Sequence, residues 1–159
     1  MTIKEGDKLP AATMHMMVDG KPTAVTTQEL FAGKKVVVFA VPGAFTPTCS
    51  QAHLPGFVVH ADDILSKGVD SIVCLSVNDA FVMDSWGADK NAERLMMVGD
   101  GNGEFTKALG LEMDGSGFGL GTRSQRYAMI VDDATVAKLA VEAPGQLEVS
   151  TAEAMLAAL

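Results

Sequence analysis

Residues 34–49 read KKVVVFAVPGAFTPTC. Lys35 to Val41 is a continuous apolar, β-branched run, the pattern of a strand covered on both faces. Pro42, Gly43 and Pro47 then impose a rigid turn. A helical pattern follows, with Leu54, Phe57, Val58, Ala61 and Leu65 recurring at three- and four-residue steps and Gly68 as a stop. The pattern predicts a strand, a tight loop and a helix starting at Thr48, with Cys49 at the junction.

Working outward, Ser71 to Val77 reads as a second buried strand. Asp79 is a candidate cap for a helix holding Phe81, Val82 and Trp86. Arg94 to Val98 gives a third, shorter strand, and Gly103 to Leu109 a short helix. Residues 110–122 are glycine-rich and read as loop. Gln125 to Val131 and Thr135 to Glu142 alternate as a hairpin turning at Asp132-Asp133. Upstream, Ala12 to Val18 reads as a first strand with a turn at Asp19-Gly20, and Thr27 to Ala32 as a helical turn. Ser150 to Leu159 reads as a last helix capped by Ser150 or Thr151. Strands alternating with helices, then a hairpin, predict one α/β domain over residues 1–159: a thioredoxin-like fold with a central mixed sheet flanked by helices.

Bulk properties exclude several functions. The net charge is −8 over 159 residues, with no basic run. Nucleic-acid binding draws most of its affinity from phosphate neutralisation, so such a chain is a poor candidate for it. It is equally ill suited to anionic membranes. No apolar stretch reaches the length of a membrane-spanning helix, and residues 1–10 carry no apolar signal core. A cytoplasmic setting is the expectation. Two cysteines do not make a disulfide framework.

Chemistry is therefore sought at a cysteine. Only the thiolate is a nucleophile, and a helix N-terminus favours it. That terminus contributes about 0.3–1 kcal/mol, which at ~1.36 kcal/mol per unit shifts a thiol by about one pKa unit. Lowering a thiol from about 8.5 to well below 7 needs a full positive charge as well. An arginine supplies it best, because it stays protonated. A buried, inert thiol is the competing reading of Cys49. The rigid turn and the neighbouring hydroxyls of Thr46 and Thr48 argue against it, although Thr48 could serve only as a helix cap.

Pro42-Gly43-Ala44-Phe45-Thr46-Pro47-Thr48-Cys49 resembles the active-site loop of the peroxiredoxins, whose pattern is Pro, three residues, Thr, two residues, Cys. The flanking VPGAFTPTCSQAHLPGF and CLSVNDAFVMDSW are similar to the type II, or atypical two-cysteine, subfamily, and the similarity runs on to RSQRYAMIVDD. The resemblance implies a thiol-dependent peroxidase acting on hydrogen peroxide and alkyl hydroperoxides. It makes Cys49 the peroxidatic cysteine, Thr46 the hydroxyl that holds sulfur and peroxide, and Pro42 the shield from water. Arg126 becomes the arginine that holds thiolate and peroxide, with Arg123 ranked second. The substrate-binding set is then Pro42, Gly43, Thr46, Thr48, Cys49 and Arg126. A homodimer is also implied; the residues themselves offer no metal or cofactor motif.

The chain departs from many type II relatives after the hairpin. Where they carry a resolving cysteine, residues 145–150 read GQLEVS. Cys74, inside SIVCLSV, reads as an inert core thiol. The expected reductant is therefore an external thiol, with glutathione and glutaredoxin favoured over thioredoxin. The rival function is a peroxide-sensing relay or holdase with little turnover. A dithiol oxidoreductase is excluded, because Ser50, Gln51 and Ala52 follow Cys49 without the second cysteine such a motif needs.

His53, one turn past Cys49, could tune it, meet a partner, or be a plain surface or helix-packing residue. His15 and His60 lack metal-ligand spacing. Residues 100–104 (DGNGE) open like a calcium loop, but Phe105 and Leu111 stand where glycine and glutamate are required, so they read as a turn. Gly115, Gly117, Gly119 and Gly121 do not form a dinucleotide fingerprint. Pro55 is expected to kink the helix near residues 51–55, because its ring would meet the carbonyl of Gln51.

Overall fold

A computed structural model describes residues 2–159. The elements run β1 (Thr13–Val18), β2 (Lys21–Thr26), α1 (Thr27–Phe31), β3 (Lys35–Val41), a π turn (Cys49–His53), α2 (Leu54–Leu65), β4 (Ser71–Ser76), α3 (Ala80–Asp89) and β5 (Met96–Gly99). They continue with α4 (Glu104–Leu109), β6 (Glu112–Asp114), a 3-10 turn (Ser116–Phe118), β7 (Thr122–Ser124), β8 (Tyr127–Asp132), β9 (Thr135–Val141) and α5 (Ala152–Ala158). Seven strands form one mixed sheet in the order β2-β1-β5-β4-β3-β8-β9, the thioredoxin-like arrangement the sequence predicts. No described helix is long and apolar enough to cross a membrane.

The apolar runs of β3, β4 and β8 are continuous because each strand feeds two cores. Val37, Phe39 and Val41 of β3, with Ile72 and Cys74 of β4, face a core closed by Leu54, Phe57, Ile64, Met83 and Trp86. Val36, Val38 and Ala40, with Val73 and Leu75, face the opposite core around Phe31, Phe105 and Leu109. Side chains alternate across a strand, so a one-residue slip would exchange the two sets.

Several sequence expectations are corrected. Lys21–Thr26 forms β2, pairing along the whole of β1. Its polar, exposed residues hid it: an edge strand with little to bury has no hydrophobic period to read. The presumed loop 110–122 contains β6 and reaches into β7, a small antiparallel pair with Met113 opposite Arg123. The final hairpin turns at Asp133 and Ala134, both at positive φ, one residue later than expected. Thr151 rather than Ser150 caps α5, accepting from the Ala154 N–H. Asp79 caps α3 as expected, accepting from Val82 N–H. Asp100 is a buried anchor for α4, accepting from Phe105 and Thr106 N–H.

Topology gathers the chain at one end of the sheet. β3 pairs with β8 antiparallel, Ala40 opposite Tyr127, so Arg126 lies beside the exit of β3. β8 pairs with β9 antiparallel, Tyr127 opposite Val141, which brings Glu142 to the same end.

Candidate active site

The helix after β3 begins at Pro47, not Thr48. Proline suits a first helical position, since its missing N–H would have no partner there. Thr48 makes no side-chain capping bond. Cys49 to His53 then widen into a π turn, with Leu54 N–H reaching back to Cys49 C=O. Pro55 follows directly, within the first turn of α2. A regular ladder would drive its ring into the Gln51 carbonyl, and the wide turn is where the expected irregularity falls. First-turn N–H groups have no intrahelical acceptor, so Cys49 sits among unpaired donors.

Cys49 is 1% exposed. Arg126 Nη2 donates to its Sγ at 3.1 Å across 77 residues of sequence. This is the arginine that sequence reasoning placed first. Arg123 is committed elsewhere: its Nε donates to Leu120 C=O at 3.0 Å and its Nη1 to Pro42 C=O at 3.1 Å. That bond requires Gly43, because a Cβ there would lie 2.7 Å from Arg123 Nη1.

Thr46 departs from its expected role. Its hydroxyl donates to Gly43 C=O at 2.7 Å rather than to the sulfur. Its oxygen lone pairs are left to accept. Its carbonyl accepts from Ser50 N–H at 2.9 Å, fixing the first turn. The loop is strained and pinned. Phe45 takes φ +64, and Ala44 N–H donates to Asn78 Oδ1 at 3.0 Å. A non-glycine residue in the left-handed region costs energy that the surrounding contacts must hold.

His53 is neither a surface nor a partner-facing residue; it is 1% exposed. Arg126 Nη1 lies 2.8 Å from its Nδ1, and its Nε2 lies 2.8 Å from Ser150 C=O. Arginine can only donate, so Nδ1 accepts and the proton is on Nε2. Burial lowers the His53 pKa to about 4, and the Arg126 charge adds to this against the Ser150 bond and Glu142. Sequence spacing flagged the residue; only the fold shows that it holds Arg126.

Cys74 is fully buried, and burial, with Cys49 nearby, pushes its thiol well above the usual range. A cavity of about 340 Å³ borders Arg126 and the loop before Cys49, lined by Pro42, Thr48, Met113, Glu142 and Pro144 among others. The site thus offers a buried sulfur, one fixed guanidinium and helix N–H groups next to a cavity that Arg126 borders. That set can stabilise negative charge on a molecule entering over the sulfur.

Comparison with known proteins shows the family. Residues 4–156 match the family model described as Redoxin. The chain is 52% identical to the rice protein "Peroxiredoxin-2E-2, chloroplastic" over 99% of its own length and 73% of that protein. It is 46% identical to Arabidopsis thaliana "Peroxiredoxin-2B", covering 99% and 98% of the two chains. Among solved structures, reduced Prx3 from Vibrio vulnificus in complex with H2O2 superposes with a TM-score of 0.96 at 58% identity, covering 99% of each chain.

Proposed function

This chain belongs to the peroxiredoxins, within the redoxin family, and is a peroxidase oxidoreductase; on that footing we propose that Cys49 is its peroxidatic cysteine, recycled by an external thiol. The observation that carries the assignment is Arg126 Nη2 at 3.1 Å from the buried Cys49 Sγ. The Cys49 thiolate attacks one peroxide oxygen, forming an S–O bond as the O–O bond breaks. The other oxygen leaves as hydroxide or alkoxide and takes a proton from solvent to give water or alcohol, and Cys49 becomes a sulfenic acid. Arg126 and the first-turn N–H groups stabilise charge spread over both oxygens. Thr46, whose hydroxyl proton is engaged by Gly43, accepts the hydrogen bond of the incoming peroxide O–H. Pro42 and Thr48 line the neighbouring cavity, while Gly43 leaves room for the Arg123 brace on Pro42.

The type II affiliation and one-cysteine recycling belong to the same proposal. Residues 145–150 contain no thiol, and Cys74 is fully buried with its thiol held protonated. An outside thiol then condenses with the sulfenic acid, releasing water, and a second thiol frees Cys49. Glutathione with glutaredoxin is the favoured source, in a reducing compartment such as the cytoplasm, and the working assembly is a homodimer. Peroxide consumption by purified protein tests this, comparing glutathione/glutaredoxin with thioredoxin and its reductase. Steady turnover with the former and little with the latter is expected. Single-turnover oxidation without turnover under either would favour a sensing relay instead.

A further inference from the structure

We propose that Glu142 is a positioning residue for the reaction at Cys49, acting through Ser150 and His53 on Arg126; this rests on the reading of Cys49 given above. Glu142 follows β9 and is 7% exposed. One of its oxygens, Oε2, accepts from the N–H groups of Glu148, Val149 and Ser150, each at 2.8 Å, and from Ser150 Oγ at 2.7 Å. A carboxylate this buried is costly without such partners. Burial raises its pKa, but these hydrogen bonds outweigh burial and hold it below the usual carboxylate range.

The four bonds do more than fold back residues 143–149. They fix Ser150, whose carbonyl accepts the His53 Nε2–H. That acceptor sets the tautomer: with hydrogen on Nε2, the Nδ1 lone pair faces Arg126 Nη1. The other tautomer would aim an N–H at a guanidinium that can only donate. Glu142 also holds Arg126 from behind, its N–H donating to Arg126 C=O at 2.9 Å. Arg126 is thereby fixed at its main chain and at one guanidinium nitrogen. The other terminal nitrogen, Nη2, meets the sulfur. Glu142 never touches the sulfur; it decides where the charge that does is held.

The test uses protein labelled with 15N at histidine, in the wild type, Glu142→Ala and Glu142→Gln. The His53 ring nitrogen shifts of reduced protein, without peroxide, report the tautomer. Stopped-flow single-turnover oxidation by hydrogen peroxide reports the reaction. Glu142→Ala is expected to mix the tautomers and slow oxidation by roughly tenfold or more, since misplacing a positioned group costs rate. Glu142→Gln, which keeps an acceptor oxygen, recovers most of both. An unchanged tautomer or an unchanged oxidation rate in Glu142→Ala overturns the proposal, because mere loop closure predicts both. If Glu142→Ala does not fold, Glu142→Asp, one methylene short of the Ser150 amide, is judged by the same two readouts. A wild-type Cys49 that peroxide does not oxidise would sink the functional reading itself, which the tautomer measurement keeps separate.

Discussion

Trp86 Nε1 donates to Ser50 Oγ at 2.9 Å, joining the middle of α3 to the residue that follows Cys49. Trp86 is the only tryptophan in the chain. Its indole therefore reports on the π turn. A sulfenic acid at Cys49 sits in a site with 1% exposure, out of reach of a protein-sized thiol. We expect residues 48–54 to unwind after oxidation, helped by the missing N–H of Pro55, with loss of the Trp86–Ser50 bond. Trp86 emission should shift when peroxide is added, and amide exchange over residues 48–54 should speed up. Equal, strong protection in both redox states would refute the unwinding and require a reductant small enough to enter the closed site.

Replacing Cys49 by Ser should abolish peroxide consumption, while Cys74→Ser keeps most of it. The hydroxyl in Cys74→Ser enters the core between β3 and α2 without a partner, so a stability loss of about 1–3 kcal/mol is expected. Denaturant unfolding measures that loss, and a coupled peroxidase assay measures activity. A folded but inactive Cys74→Ser would mean that Cys74 takes part in recycling after all.

Arg126→Met should slow peroxide attack by about two orders of magnitude, the usual scale for losing a charge-stabilising donor. Arg123→Met removes a brace on Pro42 instead and should cost well under tenfold, a gap of more than ~1.4 kcal/mol in barrier between the two variants. Stopped-flow oxidation of both variants decides it. Comparable losses would show that the loop brace, not the charge at the sulfur, limits the rate.

Acid should destabilise the protein in two steps. The His53 pKa falls from 6.5 to about 4 on folding, so the unfolded chain binds the extra proton between those values. Stability is full above pH 6.5 and declines as pH drops towards 4. A shift of this size corresponds to roughly 3 kcal/mol. Glu142, held below the usual carboxylate range, contributes stability that is lost at still lower pH, as it takes up a proton in the fold. Unfolding free energies of the wild type and His53→Gln between pH 7 and 4 should differ in slope; parallel curves would contradict a buried neutral His53.

Much of the site was legible because its chemistry is local. PGAFTPTC carries the candidate nucleophile, the turn and the helix start within eight consecutive residues, and the apolar runs of β3 and β4 announce strands buried on both faces. Strand β2 was not legible, because its residues are exposed and make backbone pairings that leave no trace in side-chain pattern. The pair β6–β7 was hidden for a similar reason: three-residue strands among glycines have too few side chains to show a period.

Residue types at short spacing single out Cys49 as the candidate nucleophile, ask for an arginine beside it, and place a proline that disturbs the helix behind it. Those conclusions follow from residue types at short spacing and from the charge a thiolate needs. Only the tertiary structure decided how that arginine is aimed. Arg126, His53, Glu142 and Ser150 are separated by up to 97 residues between bonded partners, and antiparallel pairing of β8 with β3 and β9 brings them to one end of the sheet. Hydrogen bonds act over about 3 Å, so partners that far apart in sequence have no relation until the backbone has been folded to place them.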